Sequence, residues 1–355
     1  MITLNKKRVA PAKETTLLSK SIAQSVPEKE NQTNLTSHYK RYRWAGRLLV
    51  MKAVDLRQRA LDGNYEINFL PLLGQQGYIP EGRSVLISAY PKTGKTELMT
   101  DLVIEWANLG KAVHIISEES EATWGQRLRK KTESLENIFI SCALGVSVED
   151  LKKAITKDSP PIVIIDTIRN FLNLHDENSN SEVARAINPF IQRARNQGKT
   201  IIFLHHTRKG GGEHGEGASG AHAFLGSVDV TLEIYRLKSE QQRIIRGAGR
   251  VVEIKELVYE LNESSHILIA LGSPKETQLA TVCERVLSQG ITTTWLKASD
   301  IQTLLNEPKP SKEQLRIALN QLAEEGKITR KPAIEEGKKG GATYQWRLAE
   351  PKENP

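Results

Sequence analysis

Residues 89–96 read AYPKTGKT, and the closing Gly94-Lys95-Thr96 has the chemistry of a phosphate cradle. In the pattern G-x-x-x-x-G-K-[ST], backbone N–H groups curl around a β-phosphate, the lysine reaches the β/γ-phosphates, and the hydroxyl ligates magnesium. Lys92, Thr93, Gly94, Lys95 and Thr96 are therefore the expected nucleotide-binding residues, with Thr96 also a metal ligand. Ala89 stands where the first glycine of the pattern would be. An extended backbone at a strand end makes no demand for positive φ there, whereas a left-handed one would cost alanine about 1–2 kcal/mol. A magnesium shell also needs an acid on a later strand. PIVIID, residues 161–166, supplies it as an apolar run ending in Asp166. His205 and His206 close TIIFLHH. Such a pair suggests metal ligation, but no third ligand stands nearby at suitable spacing, so zinc is rejected.

These groups converge only if strands and helices alternate. SVLIS (84–88) reads as a strand, and TELMTDLVIEWANLGK (96–111) places Leu98, Met99, Leu102, Val103, Trp106 and Ala107 at helical spacing. AVHIIS (112–117), a charged helix through Arg127 and Leu128, NIFISC (137–142) and a short helix over 148–156 follow. After PIVIID come a helix around 181–197 closed by Gly198, TIIFLHH (200–206), DVTLEIYR (229–236) and strands from 243 to 271. Apolar strands between helices predict an α/β fold, a mostly parallel sheet covered on both faces.

The ordered motifs are specific. HIISEES, IVIIDTIRNFL, GKTIIFLHHTRKGGG and GASGAHAFLGSVDVTLEI together resemble the RecA superfamily of oligomeric ATPases, over roughly residues 66–271. Within it, the chain is most similar to the RepA-type hexameric helicases and their bacterial AAA-like relatives. The resemblance implies a RecA-like P-loop core that uses ATP and Mg2+ and assembles as a homo-oligomer, a hexamer. It implies that Glu119 activates water, with Glu118 the alternative one register away, and that His206 senses the γ-phosphate. It further implies an arginine finger from the neighbouring subunit, Arg250 first and Arg246 second. The loops over 169–182 and 207–220 would face a channel, with Arg208 and Lys209 at the base of the second as contacts for single-stranded DNA.

After residue 272 the pattern changes to three helices (276–289, 296–305, 310–327) and two strands (327–331, 343–348) around EEGKKGGA. That order is a winged helix-turn-helix. Leu315, Ala318, Leu319 and Leu322 would face its core, Lys312, Arg316 and Asn320 would enter a major groove, and Lys338 and Lys339 would contact phosphate. Protein docking is the other use of such a domain. The expected division is thus a disordered tail (1–36), a basic arm (37–65), the ATPase domain (66–272) and the winged helix (273–350). The arm, with Tyr39, Lys40, Arg41, Tyr42, Arg43 and Trp44, suits nucleic acid. The reading preferred for it is an amphipathic helix docking on the core or a neighbouring subunit through Leu48, Leu49, Met51, Val54 and Leu56.

A net charge of +8 over 355 residues agrees with a polyanionic partner. Cys142 and Cys283, far apart and without CxxC spacing, point to a reducing cytoplasm, and the absence of a long apolar run excludes secretion and membrane insertion. The expected function is an ATP-driven, ring-forming DNA helicase in replication of a plasmid or mobile element. The rivals are a DNA-dependent ATPase that loads or regulates without unwinding, and a non-enzymatic nucleotide-gated regulator.

Overall fold

The computed structural model describes residues 42–44, 48–172, 179–207, 226–237, 241–250, 252–262, 267–333 and 344–349. The tail expected over 1–36 lies outside the described residues, as do Tyr39, Lys40, Arg41, Arg208, Lys209, Lys338 and Lys339. The chain divides into two units, residues 1–67 and 68–355.

In the first unit, β1 (Tyr42–Trp44) pairs antiparallel with β2 (Leu48–Val50), and α1 (Ala53–Leu61) follows. The single amphipathic helix expected through Leu48 and Leu49 is therefore not formed. Leu48-Leu49-Val50 is apolar and ends in a β-branched residue, and Gly46 lies in the sequence between the two short runs. Helix α1 buries none of its residues, and Val54 and Leu61 are exposed.

The second unit opens with the hairpin β3 (Phe69–Leu72) and β4 (Gln75–Pro80). Strands and helices then alternate: β5 (Ser84–Ala89), α2 (Lys95–Asn108), β6 (Val113–Ser117), α3 (Glu121–Leu128), β7 (Ile138–Cys142), α4 (Val148–Lys153) and β8 (Ile162–Asp166). Next come α5 (Ile168–Phe171), α6 (Asn180–Asn196), β9 (Thr200–His206), β10 (Val230–Arg236), β11 (Gln242–Gly249), β12 (Leu257–Asn262) and β13 (Ile267–Gly272). They build a nine-stranded sheet in the order β13-β12-β11-β10-β5-β9-β8-β6-β7. From β10 through β7 all pairs are parallel, and β11 to β13 extend the edge antiparallel.

The strands are continuously apolar because consecutive residues face two different layers. Val85, Ile87, Ile162, Ile164, Ile202 and Leu204 join α2 in one core, while Leu86, Val163, Ile165, Ile201 and Phe203 join α6 in the other. Trp106 of α2 is fully buried and donates its indole N–H to the Pro71 carbonyl at 2.7 Å, which fastens the helix to β3. Gly198, at φ +65, follows α6 where only glycine adopts that backbone freely.

Residues 273–349 carry a third apolar cluster of their own. Helix α7 (Pro274–Arg285) begins with a Ser273–Glu276 capping box and runs into a π turn at Val286–Gly290. Strand β14 (Leu296–Lys297), α8 (Ala298–Leu304), α9 (Lys312–Glu324), β15 (Ile328–Pro332) and β16 (Tyr344–Leu348) complete the set. Ser311 and Gln314 close the capping box read from the sequence. Leu315, Ala318, Leu319 and Leu322 pack with Ile301, Ile328 and Trp346. The three strands form a sheet in the order β14-β16-β15. Among the described residues, no helix is long and apolar enough to cross a membrane.

Candidate functional site

The carboxyl ends of β5, β6, β8 and β9 gather the chemistry. Strand β5 ends at Ala89, and α2 begins at Lys95 with Gly94 as its N-cap at φ 98. The positive φ values fall on Lys92 (64) and Gly94, and Ala89 lies within the extended strand. Alanine is therefore unstrained where the pattern has glycine. Helix α2 has no side-chain cap, so the N–H groups of its first turn are offered to an anion, and a Cβ built on Gly94 meets nothing within 4 Å. The arrangement fits a polyphosphate.

Lys95 Nζ donates to Asp166 Oδ1 at 3.2 Å, and both side chains are buried. Burial lowers the lysine's pKa, and the carboxylates of Asp166, Glu118 and Glu119 oppose that shift. Thr96, half-buried in the first turn of α2, and Asp166 are the residues that would hold magnesium.

Strand β6 pairs Ser117 with Asp166, and the Glu118 N–H donates to the Asp166 carbonyl at 2.8 Å. Glu118 accepts from Thr167 Oγ1 at 3.0 Å and from Asn170 Nδ2. Glu119 is turned into a two-pronged pair with Arg127, at 2.6 and 3.1 Å, and that guanidinium lies 4.7 Å from the Trp124 ring centre. Of the two glutamates, only Glu118 is among the charges acting on His206. Glu118 thus acts electrostatically on both Lys95 and His206, whereas Glu119 acts on Lys95 and is held by Arg127. Adjacent residues at a strand end diverge, and the one facing α3 is claimed by an arginine of that helix.

His206 pairs in register with Ala89, beside the start of the loop. Burial, and then Lys95, hold its imidazole below the ordinary histidine range, against weaker opposing effects of Asp166, Glu118 and a hydrogen bond with the Ala89 backbone. It is therefore neutral at neutral pH. Its buried Nδ1 has no hydrogen-bond partner among the described residues.

The candidate fingers lie on β11 and just after it. Arg246 pairs with Glu256 at 2.8 Å, and Arg250 donates to the Gly226 carbonyl. Both line a cavity of about 750 Å³ that also includes Asp229, Glu233 and Tyr235. The arginines that do reach the loop were not singled out in the sequence. Arg236 Nη2 donates to the Lys92 carbonyl at 2.6 Å and Arg243 Nε to the Thr93 carbonyl at 2.9 Å. They sit directly opposite each other on β10 and β11. Alternation along QRIIRG could have placed Arg243 and Arg246 on opposite faces, though not their partners.

By gripping the carbonyls of Lys92 and Thr93, these arginines hold the loop without using any of its N–H groups. Arg243→Gln is expected to raise KM for ATP about 10-fold or more while kcat changes little, because a hydrogen bond from a charged donor contributes about 1.5–3 kcal/mol. Michaelis–Menten analysis checks this, and Arg243→Lys should restore part of the loss.

The expected DNA-contacting residues of α9 are differently placed. Lys312 is exposed, Arg316 is paired with Glu313 at 2.6 and 2.9 Å, and Asn320 accepts from Arg330 at 3.0 Å.

Residues 67–212 match the family model described as an AAA domain. The chain is 23% identical over 263 residues to the DNA repair protein RadA of Pseudomonas aeruginosa, covering 71% of this chain and 55% of that protein. It is 27% identical over 143 residues to the DNA repair protein RadA of Brucella abortus, covering 38% of this chain and 30% of that protein. The chain thus spans about half the length of the first relative (55%) and under a third of the second (30%). Among solved structures it is similar to one described as an ATPase domain, with a TM-score of 0.47 and 15% identity, covering 61% of this chain and 96% of that one. The phosphate loop after β5 and the acid ending β8 both fall inside residues 67–212, the stretch that matches the AAA domain.

Proposed function

We propose that the chain is an ATP-hydrolysing, ring-forming DNA helicase of RepA type that serves replication of a plasmid or mobile element. The observation that carries this reading is the buried Lys95–Asp166 pair at the phosphate loop, flanked by Glu118 and His206. The ATPase domain is taken as residues 66–272. Residues 273–350 are taken as a winged helix, a reading supported by three helices around a three-stranded sheet.

Lys95 and the loop N–H groups bind the β- and γ-phosphates of ATP. Glu118 orients a water and accepts its proton as the oxygen attacks the γ-phosphorus, and the bond to the bridging oxygen breaks to release ADP. Thr96 and Asp166 would hold magnesium, which would supply charge to neutralise the polyphosphate. Neutral His206, beside Ala89 in register, hydrogen-bonds the γ-phosphate and precedes Thr207, Arg208 and Lys209 in the sequence. Loss of phosphate there would shift the end of β9, and through it Arg208 and Lys209, the residues proposed to contact DNA. Arg250 or Arg246 completes the neighbour's site in a hexamer.

A second reading, an ATPase that acts on DNA without separating strands, is favoured by the two relatives named as DNA repair proteins. A forked duplex separates the two. The helicase displaces the labelled strand when ATP is present, whereas the second activity consumes ATP with the duplex intact. Electron microscopy of the same sample should reveal closed rings, and monomers would remove the trans-acting arginine.

A further inference from the structure

The C-terminal sheet carries a cationic face that the expected major-groove helix does not include. Lys297 on β14 stands opposite Gln345 on β16, Gln345 opposite Lys331 on β15, and Thr329 opposite Arg347. Alternation places these five residues on one face, while Leu296, Ile328, Trp346 and Leu348 turn to the apolar cluster. Trp295 joins the cationic face: Lys331 Nζ lies 4.4 Å and the Arg347 guanidinium 4.8 Å from its ring centre. Lys297, Thr329 and Lys331 are exposed, and Gln345 and Arg347 half-buried. None of the five positions carries a carboxylate.

We infer that this outer sheet face, with Lys331 and Arg347 gathered on Trp295, binds the phosphate backbone of DNA. The inference rests on the reading of the chain as a DNA-dependent ATPase and names a surface for it. Ordering a lysine or arginine side chain costs up to about 1.5–2 kcal/mol of rotamer freedom, and the indole meets part of that cost before DNA arrives. Helix α9 offers less. Its Arg316 is already paired with Glu313, and Asn320 with Arg330.

The test is fluorescence anisotropy of labelled oligothymidylate, and separately of a labelled duplex, titrated with the full chain at several salt concentrations. Lys331→Glu with Arg347→Glu should weaken binding at least about 10-fold and flatten the log–log salt dependence by about 1.4, the value for neutralising two fewer phosphates of a single strand. The neutral pair Lys331→Gln with Arg347→Gln should give a smaller loss in the same direction, and thermal melting of both variants checks that they fold. Trp295 emission should change as DNA is added, and Trp295→Phe should remove that change. Wild-type binding that is equally strong in both folded double variants overturns the inference and leaves the DNA reading standing, as does loss confined to Lys312→Glu with Arg316→Glu. Absence of any wild-type binding overturns the DNA reading and the inference together.

Discussion

Replacing Lys95 by alanine is expected to lower kcat for ATP by about 100-fold to 1000-fold, the range for removing one charge-stabilising donor from a site shielded from water. Lys95 is only 4% exposed, so its ammonium acts with little screening where phosphate charge develops. A structural consequence follows from the same burial. Asp166 is 4% exposed and loses its partner in the variant, and breaking a buried pair costs about 3–5 kcal/mol when the remaining group stays charged. Phosphate release measured beside thermal melting separates the two effects. Lys95→Met keeps the volume and should lose turnover equally. Turnover at the wild-type rate in either variant would remove the phosphate-loop assignment.

Glu118→Gln is expected to lower kcat about 100-fold to 10,000-fold while ATP affinity stays within a few-fold, as for loss of a general base. Glu119→Gln should cost less than about 10-fold, because its carboxylate serves Arg127 and the start of α3. The contrast follows from position. Glu118 is tied to Thr167 and Asn170 beyond the end of β8 and acts electrostatically on His206, whereas Glu119 faces a guanidinium eight residues along the chain. Single-turnover hydrolysis alongside equilibrium binding of a fluorescent nucleotide distinguishes chemistry from affinity. A reversed order of the two variants would show that the Glu119–Arg127 pair opens in the working enzyme.

What could be read from the sequence was what depends on local pattern. SVLIS, PIVIID and TIIFLHH each contain an unbroken apolar run (VLI, IVII, IIFL), the pattern of a strand buried on both faces, and they became three adjacent parallel strands. Gly94-Lys95-Thr96 needed only a strand before it and a helix after it. Ala89 was open to two backbone conformations, and its extended one removes the conflict. The Glu118–Glu119 register was not legible, since it turns on where β6 ends and on where Arg127 points. Arg236 and Arg243 were invisible for a different reason. Their partners lie 144 and 150 residues away, brought close only by the pairing of β10 with β5. The short hairpin β1–β2 was missed because three-residue strands have too few positions to show a period.

The central claim is that Lys95, Asp166, Glu118 and His206 hydrolyse ATP on behalf of DNA. Phosphate release by the wild-type chain with ATP and magnesium, measured with and without single-stranded DNA, tests it most directly. Turnover well above that of Lys95→Ala is expected, with a further rise when DNA is added. Release no faster than in Lys95→Ala, with or without DNA, would contradict it.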